Sequence, residues 1–439
     1  MKVSKLALAI SLAAGSTASN ALAQSYGNQQ QAQQPPSVPE QTQPNARRRG
    51  RQQEQEQPQQ PAAPTIPREE LALITPINQA VQAQNWEAAT AALPAAQAGI
   101  QSAYGKFVVG QLQLSIGRGT NNQQMQIQAV EGMIASGGAP EASLPALLGA
   151  RASFAIQAND WATAETMLTR LTEGPSSTAD RLRQLAEVKI RLNKNAEALA
   201  IYQRLLQMSE TSGQPATEEN IKRTLEIATV LRARNEMLPL MQRLLRAYPT
   251  AANWQMVLGN FRALSGDETG IALDVRRLMR SAQALARPED YLEFAGRLTR
   301  AGQPGEVKSL LDEGISRGTV PAGDSIARQM LTTANTRIAD DQGTLPALRT
   351  RAMAAASGRD ARIAGDTFYG YGQYAQAAEL YRAALQKGGE DANLVNTRLG
   401  AALVAANQPA EAQTAFRAVT GDRATLAAFW LLWLERRPS

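Results

Sequence analysis

Gly365, Ala377 and Tyr381 stand twelve and then four residues apart, and Gly400, Ala412 and Phe416 repeat that spacing further along the chain. The positions between them correspond as well: Phe368, Gly372, Tyr374 and Ala384 are answered by Leu403, Asn407, Pro409 and Val419. Two small side chains at this separation let antiparallel helices cross closely, and an aromatic one turn beyond the second fills the next groove. The stretch Ala361 to Thr420 therefore predicts two successive helical hairpins.

Weaker versions of the pattern run upstream. Ala80 to Trp86 (AVQAQNW) is matched by Ala155 to Trp161 (AIQANDW), each tryptophan followed three residues on by an alanine, Ala89 and Ala164. Both stretches read as a helix end, a polar turn and a second helix presenting its small residue to the first. Asn121 to Ser136 reads as one helix with Ile127, Val130, Met133 and Ile134 on a face, bounded by glycines. Ala186, Ala198 and Tyr202 restore the spacing, although Lys189 takes a slot that should be apolar. Met237 and Met241, Leu258-Gly259, and Ala295 with Gly302-Gln303-Pro304, Val307 and Leu311 mark further units. Asp324 to Arg362 has helical register but no clean signature, and reads as degenerate hairpins where the array could break. Strand-forming residues are sparse beside Leu, Ala, Gln, Glu and Arg, so the chain is expected to be all-α.

At Gly365 to Val419 the chain resembles the tetratricopeptide repeat (TPR) family, whose unit is about 34 residues. The resemblance implies a right-handed superhelical solenoid of roughly nine to eleven TPR-like helix-turn-helix hairpins, each touching mainly its neighbours. Residues 68–360 would hold degenerate repeats, and 361–439 the clear ones with a capping helix. In the family the first helix of each hairpin lines a concave face that binds extended peptides or helices. By that resemblance Arg183 and Glu187 around Ala186, Asn260 beside Gly259, and Arg362, Asp366 and Tyr369 around Gly365 would face the groove. The bland alternative is ordinary solvated surface. Thr397 and Ala401 fall where the family's carboxylate clamp would need basic or amide residues, so that clamp is not expected.

The chain contains no histidine and no cysteine. That removes Ser-His-Asp and Cys-His nucleophiles, nearly all zinc sites, His- or Cys-ligated haem and iron–sulfur clusters. Gly370 to Ala375 (GYGQYA) matches the dinucleotide fingerprint in form, but that fingerprint needs a preceding strand, and here a helix precedes it. No cofactor or metal is expected. Asp340-Asp341, Glu218-Glu219 and Glu69-Glu70 are the adjacent acid pairs. Neighbouring helical residues point apart, so these read as solvated or capping groups and not as a glycan-cleaving pair.

Met1 to Ala23 reads as a secretory signal: Lys2 and Lys5, an apolar run from Leu6 to Ala14, and a small-x-small site at Ala21-Leu22-Ala23. Residues 24–67 are rich in Gln and Pro with few apolar side chains, the composition of a disordered tether. Within it Arg47, Arg48, Arg49 and Arg51 form a candidate electrostatic hook for an anionic surface or polymer, or a charge cluster that keeps the tether soluble. Setting aside leader and tail, the 45 basic and 39 acidic residues fall to about 39 and 36. The body is thus nearly neutral, with no phosphate-binding stripe, and nucleic acid is not an expected partner.

Ala424 to Arg437 carries Phe429, Trp430, Leu431, Leu432, Trp433 and Leu434, far too short a run to span a bilayer. It is expected to cap the array against Phe416 and Leu403, and Trp430 or Trp433 is a candidate contact for a partner. Three functions follow in order of preference. The first is a non-enzymatic periplasmic or secreted scaffold that binds cell-envelope proteins in its groove. The second is a structural subunit of an envelope export or assembly complex, such as one for polysaccharide. The third is a glycan-acting hydrolase.

Overall fold

The computed structural model describes residues 65–174, 177–265, 270–341 and 343–436. The leader, the Arg47 to Arg51 cluster and nearly all of the tail lie outside the described residues. Among the described residues there are 21 α-helices, two 3-10 turns and no strand. The chain forms two compact units, Met1–Ile201 and Tyr202–Ser439. The boundary falls inside a helix, where the sequence carries no mark of it.

In the N-terminal unit, hairpins pair α1 (Arg68–Gln82) with α2 (Trp86–Gly99), α3 (Ala103–Gly119) with α4 (Gln123–Ala135), and α5 (Leu144–Gln157) with α6 (Trp161–Glu173). Helices α7 (Ala179–Arg191) and α8 (Asn195–Thr211) follow, joined by the same turn. That turn recurs because one residue, Gln84, Asn121, Asn159 or Asn193, adopts positive φ. The following N–H then reaches back five residues, as from Asn85 to the Ala80 carbonyl and from Asp160 to the Ala155 carbonyl, both at 2.8 Å. Asn85, Asn122 and Asp160 then cap the next helix through their side chains. Ala89 and Ala164, the small residues expected at the crossings, are completely buried. Lys189, the residue out of pattern in α7, bridges Glu165 at 2.8 Å and Glu197 at 2.5 Å. A charge replaces the apolar contact there because two carboxylates meet it.

In the C-terminal unit, pairs form between α9 (Glu218–Val230) and α10 (Arg234–Ala247), α11 (Ala251–Ser265) and α12 (Ile271–Ser281), and α13 (Pro288–Arg300) and α14 (Pro304–Ser316). Further on, α17 (Gly358–Gly370) pairs with α18 (Tyr374–Lys387), and α19 (Ala392–Ala405) with α20 (Pro409–Arg417). The twelve-then-four pattern works as expected. A Cβ on Gly400 would lie 2.4 Å from Cε1 of Phe416, and one on Gly365 would lie 2.8 Å from Cε1 of Tyr381. Only glycine admits those rings.

Two expectations need correction. Residues 324–362 do not make degenerate hairpins. Helix α15 (Ser325–Asp341) packs on α13 and α14, while α16 (Leu345–Ala354) packs on α17 and α18. Hairpin α13–α14 therefore stacks directly on α17–α18, and α15 and α16 are an insertion beside that joint. The reason is compositional: α15 is polar on most faces and buries only Ala327 and Ala334. Secondly, Gly259 is not a close crossing, since a Cβ there would meet nothing within 4 Å. Helix α11 packs instead through Trp254, Val257, Leu258 and Phe261.

The array also departs from neighbour-only contact. The last helix, α21 (Ala424–Arg436), packs on α20 and also on α10, and α19 packs on α12. Phe429 sits edge-on to Phe261 with ring centroids 5.4 Å apart, and Trp430 stacks on Phe416 at the same distance. The cap expected at the C-terminus is thus present and turned back onto helices well over a hundred residues earlier in the chain.

Candidate functional site

Where α19 and the 3-10 turn Gly421–Arg423 meet α12, the contacts are between charged side chains. Helix α12 is buried on nearly every side, yet its sequence places Asp274, Arg276 and Arg277 in that buried surface. Burying an isolated charge is costly, so each must find a counter-ion from another helix. Asp274 meets Arg423 at 2.7 Å and Arg398 at 3.3 Å, with Arg277 at 3.5 Å. Arg277 in turn holds Glu306 through two nitrogens, at 3.1 Å and 2.7 Å, with its guanidinium 4.3 Å from the ring centroid of Tyr369. Arg398 continues to Asp366 at 2.6 Å, and Asp366 to Arg362 at 2.9 Å, which ends on Glu390 at 2.5 Å. The Tyr381 hydroxyl donates to the remaining oxygen of Asp366 at 2.7 Å. Four carboxylates and four guanidiniums thus alternate along one ladder from α12 to α19. Burial alone would push the Asp274 carboxyl up, but Arg398, Arg423 and Arg277 outweigh it and hold the group below the usual carboxylate range.

Arg362 and Asp366, expected to face an open groove, are therefore members of this ladder. Asp366 is 7% exposed and fully engaged, because the surface it was to present to a partner is covered by the chain's own α19. Trp430 is likewise 1% exposed, and Trp433 is half-buried edge-on against it. The two tryptophans serve the cap. Asn260 is half-buried on α11. In the N-terminal unit Arg183 and Glu187 are half-buried on α7, with Arg183 bound to Asp180 at 2.8 Å. Thr397 is wholly buried and Ala401 nearly so.

Tyr369 has a different surrounding. Beyond the ladder it forms one wall of an open cleft of about 370 Å³ at the joint between α13–α14 and α17–α18. Tyr371 and Tyr374 complete the aromatic lining, Ile338 of the inserted α15 faces them, and Arg280, Lys308 and Ser309 form the rim. The rings of Tyr369 and Tyr374 meet edge-on at 5.2 Å. The Tyr371 hydroxyl donates to Asp341 at 2.7 Å, fastening α15 over the cleft. The floor is backbone: a Cβ on Gly305 would lie 2.5 Å from the Gly370 carbonyl oxygen. Rim charges are paired, Arg280 with Glu313 at 2.7 Å and Lys308 with Asp312 at 2.8 Å. The result is a nearly neutral, tyrosine-lined concavity with polar edges, suited to an uncharged chain segment and not to an ion.

Gly372, the second glycine of the nucleotide-like run, is a turn residue with φ +72 between α17 and α18. A helix precedes it, as the sequence implied. The acid pairs serve structure. Glu70 is buried and accepts from the Gln101 and Ser102 N–H groups at 2.9 and 2.8 Å, which the sequence reading missed. Glu218 binds Asn253 at 3.0 Å. No helix among the described residues is long and apolar enough to cross a membrane.

Sequence reasoning also missed Tyr371, Tyr374 and every member of the ladder outside α17. The available signal was the string of charges inside the apolar pattern of α12, which had to be paired somewhere.

No family model matches the chain, and no curated protein does. Among solved structures, a tetratricopeptide repeat protein from Parabacteroides merdae is similar at 15% identity and a TM-score of 0.23, over 67% of this chain and 100% of that one. A Naa15/Naa10 assembly bound to HypK-THB is similar at 16% identity and a TM-score of 0.27, over 81% of this chain and 69% of that one. Likenesses this loose show no more than the hairpins themselves do. On its recurring left-handed turns, its small-residue crossings and the aromatics that fill them, the chain is a TPR-like array of helical hairpins.

Proposed function

We propose that the protein is a non-enzymatic adapter of the cell envelope that captures extended segments of other proteins, and that the cleft at Tyr369, Tyr371 and Tyr374 is its working surface. The observation that carries this reading is the contrast between two concavities in the C-terminal unit. The inner face around Asp274 is filled and its charges are matched, so a partner entering there would have to break buried ion pairs at a cost of several kcal/mol. The tyrosine cleft is open, aromatic and polar-rimmed, the composition that protein-binding surfaces concentrate at their centres. The leader-like Met1 to Ala23 supports export beyond the inner membrane, and the Arg47 to Arg51 cluster is suited to tethering at an anionic surface. Arg183 and Glu187 offer a lesser contact face on the N-terminal unit.

Photocrosslinking from position 374 in living cells tests the proposal. Adducts with several soluble envelope proteins support the adapter. Adducts confined to one membrane complex favour the alternative, a subunit of an export or assembly machine. Absence of any adduct from 374, with adducts from 260, contradicts the assignment of the cleft.

A further inference from the structure

The three tyrosines of the cleft are held in place by the protein itself, each through a different contact. Tyr369 has the Arg277 guanidinium 4.3 Å from its ring centroid. Tyr371 is tied through its hydroxyl to Asp341 at 2.7 Å. Tyr374 stands edge-on to Tyr369, the two ring planes inclined at 67°. Rings set at such an angle make a ridge with a slot beside it, and not a flat platform. The carboxylates that line the cleft are already engaged, Glu306 by Arg277 at 2.7 Å and Asp312 by Lys308 at 2.8 Å. One rim group keeps a proton to give: Ser309 Oγ accepts from Arg280 at 2.8 Å, which leaves its own O–H to donate.

We propose that the cleft at Tyr369, Tyr371 and Tyr374 takes a short, uncharged, proline-rich segment of another protein, bound as a polyproline II helix. The inference rests on the reading of the cleft as a peptide-binding surface and names the class of segment. Three matches carry it. Fixed aromatic slots suit pyrrolidine rings, which recur along one edge of a helix with three residues per turn. Such a helix is already extended in solution, so it loses little entropy on docking against walls that are themselves held. Its carbonyls have no internal partners, and the Ser309 O–H is a donor for one of them. The rim charges are paired, which matches an uncharged ligand and would not favour an acidic or basic one. A neutral glycan is the competing ligand for an aromatic cleft. Its hydroxyls call for carboxylates with free oxygens, and Glu306 and Asp312 are both taken.

The test titrates the full chain into a dye-labelled oligoproline of about ten residues, roughly three turns, and reads fluorescence anisotropy. Saturable binding is expected, and a Gly/Ser/Ala peptide of equal length should not bind. Tyr374→Ala should weaken the oligoproline roughly tenfold or more, the loss of one aromatic anchor. Tyr374→Phe, which keeps the ring, should bind within a few-fold of the parent and shows that the cleft still forms. No saturable binding, equal binding of the two peptides, or binding unchanged by Tyr374→Ala overturns the inference. Binding of maltohexaose or cellohexaose through Tyr374, where oligoproline does not bind, also overturns it and assigns the cleft to a glycan. If oligoproline fails while position 374 still crosslinks to envelope proteins, the proline assignment falls and the adapter reading stands. If oligoproline binds through Tyr374 and position 374 captures no protein in cells, the adapter reading falls and the polyproline II assignment stands.

Discussion

Arg423 places Nη1 2.7 Å from Oδ2 of Asp274, although 149 residues of chain separate them. A repeat array held only by neighbouring hairpins would have no such contact. Asp274 is also bound by Arg398, 124 residues away, so the C-terminal hairpin is fastened to α12 by two cations on one carboxylate. Replacing Asp274 with asparagine leaves those guanidiniums buried without their anion and should cost about 3–5 kcal/mol. Native-state hydrogen exchange should show the loss in α19 to α21, with the N-terminal unit unaffected.

The same carboxylate fixes a pH dependence. Asp274 has its folded pKa depressed, burial being outweighed by Arg398, Arg423 and Arg277. Its stabilisation is therefore complete above the unfolded value, about 3.9, and is lost as pH falls through the lower folded one. Glu165 is depressed chiefly by its hydrogen bonds from Lys189 and Lys194, and follows the same sign. Protection of α12 and α19 in the wild type should hold from neutrality to about pH 5 and decline below about pH 4. The gap between wild type and Asp274→Asn should close over that same interval.

The glycine crossings give a steric prediction. Gly400→Ala would drive a methyl into the ring of Phe416 and Gly365→Ala one into Tyr381, with contacts of 2.4 and 2.8 Å before relaxation. Each should destabilise by about 1–3 kcal/mol, the former more. Gly259→Ala, where nothing lies within 4 Å, should be neutral or stabilising through helix propensity. Melting temperatures of the three variants check the order.

Lys387, the last residue of α18, caps the C-terminus of the short helix α16. Its ammonium donates to the carbonyls of Ala352 and Met353 at 2.8 Å and Ala355 at 2.6 Å. These are the carbonyls a helix C-terminus leaves unpaired. Lys387→Met should cost about 1–2 kcal/mol and raise exchange in α16 before any other helix of the C-terminal unit.

The hairpins were legible because their signals are local. Gly365, Ala377 and Tyr381 lie within one repeat, and the turn after Ala155 is written in Asn159 and Asp160. The capping helix was legible from Phe429 and Trp430, whose apolar area must be covered. The inserted helices were not, since α15 keeps helical register while its burial depends on only two alanines. The ladder was illegible for a different reason. Asp366 looks like groove surface from its own repeat, and only the return of Arg398 from the next one makes it interior. Sequence spacing predicts which residues share a helix face, but which face another helix will cover depends on contacts between repeats, such as Arg398 with Asp366 and Arg423 with Asp274, that no single repeat encodes.

A double-mutant cycle on Asp274→Asn and Arg423→Gln, read as local opening free energies of α19 to α21 by hydrogen exchange in the full chain, tests the closure of the C-terminal unit directly. Close coupling predicts that the double variant is less damaged than the sum of the singles, by about 1–3 kcal/mol. Additive losses, within about 0.5 kcal/mol, would mean that the two side chains do not meet and that the inner face is open.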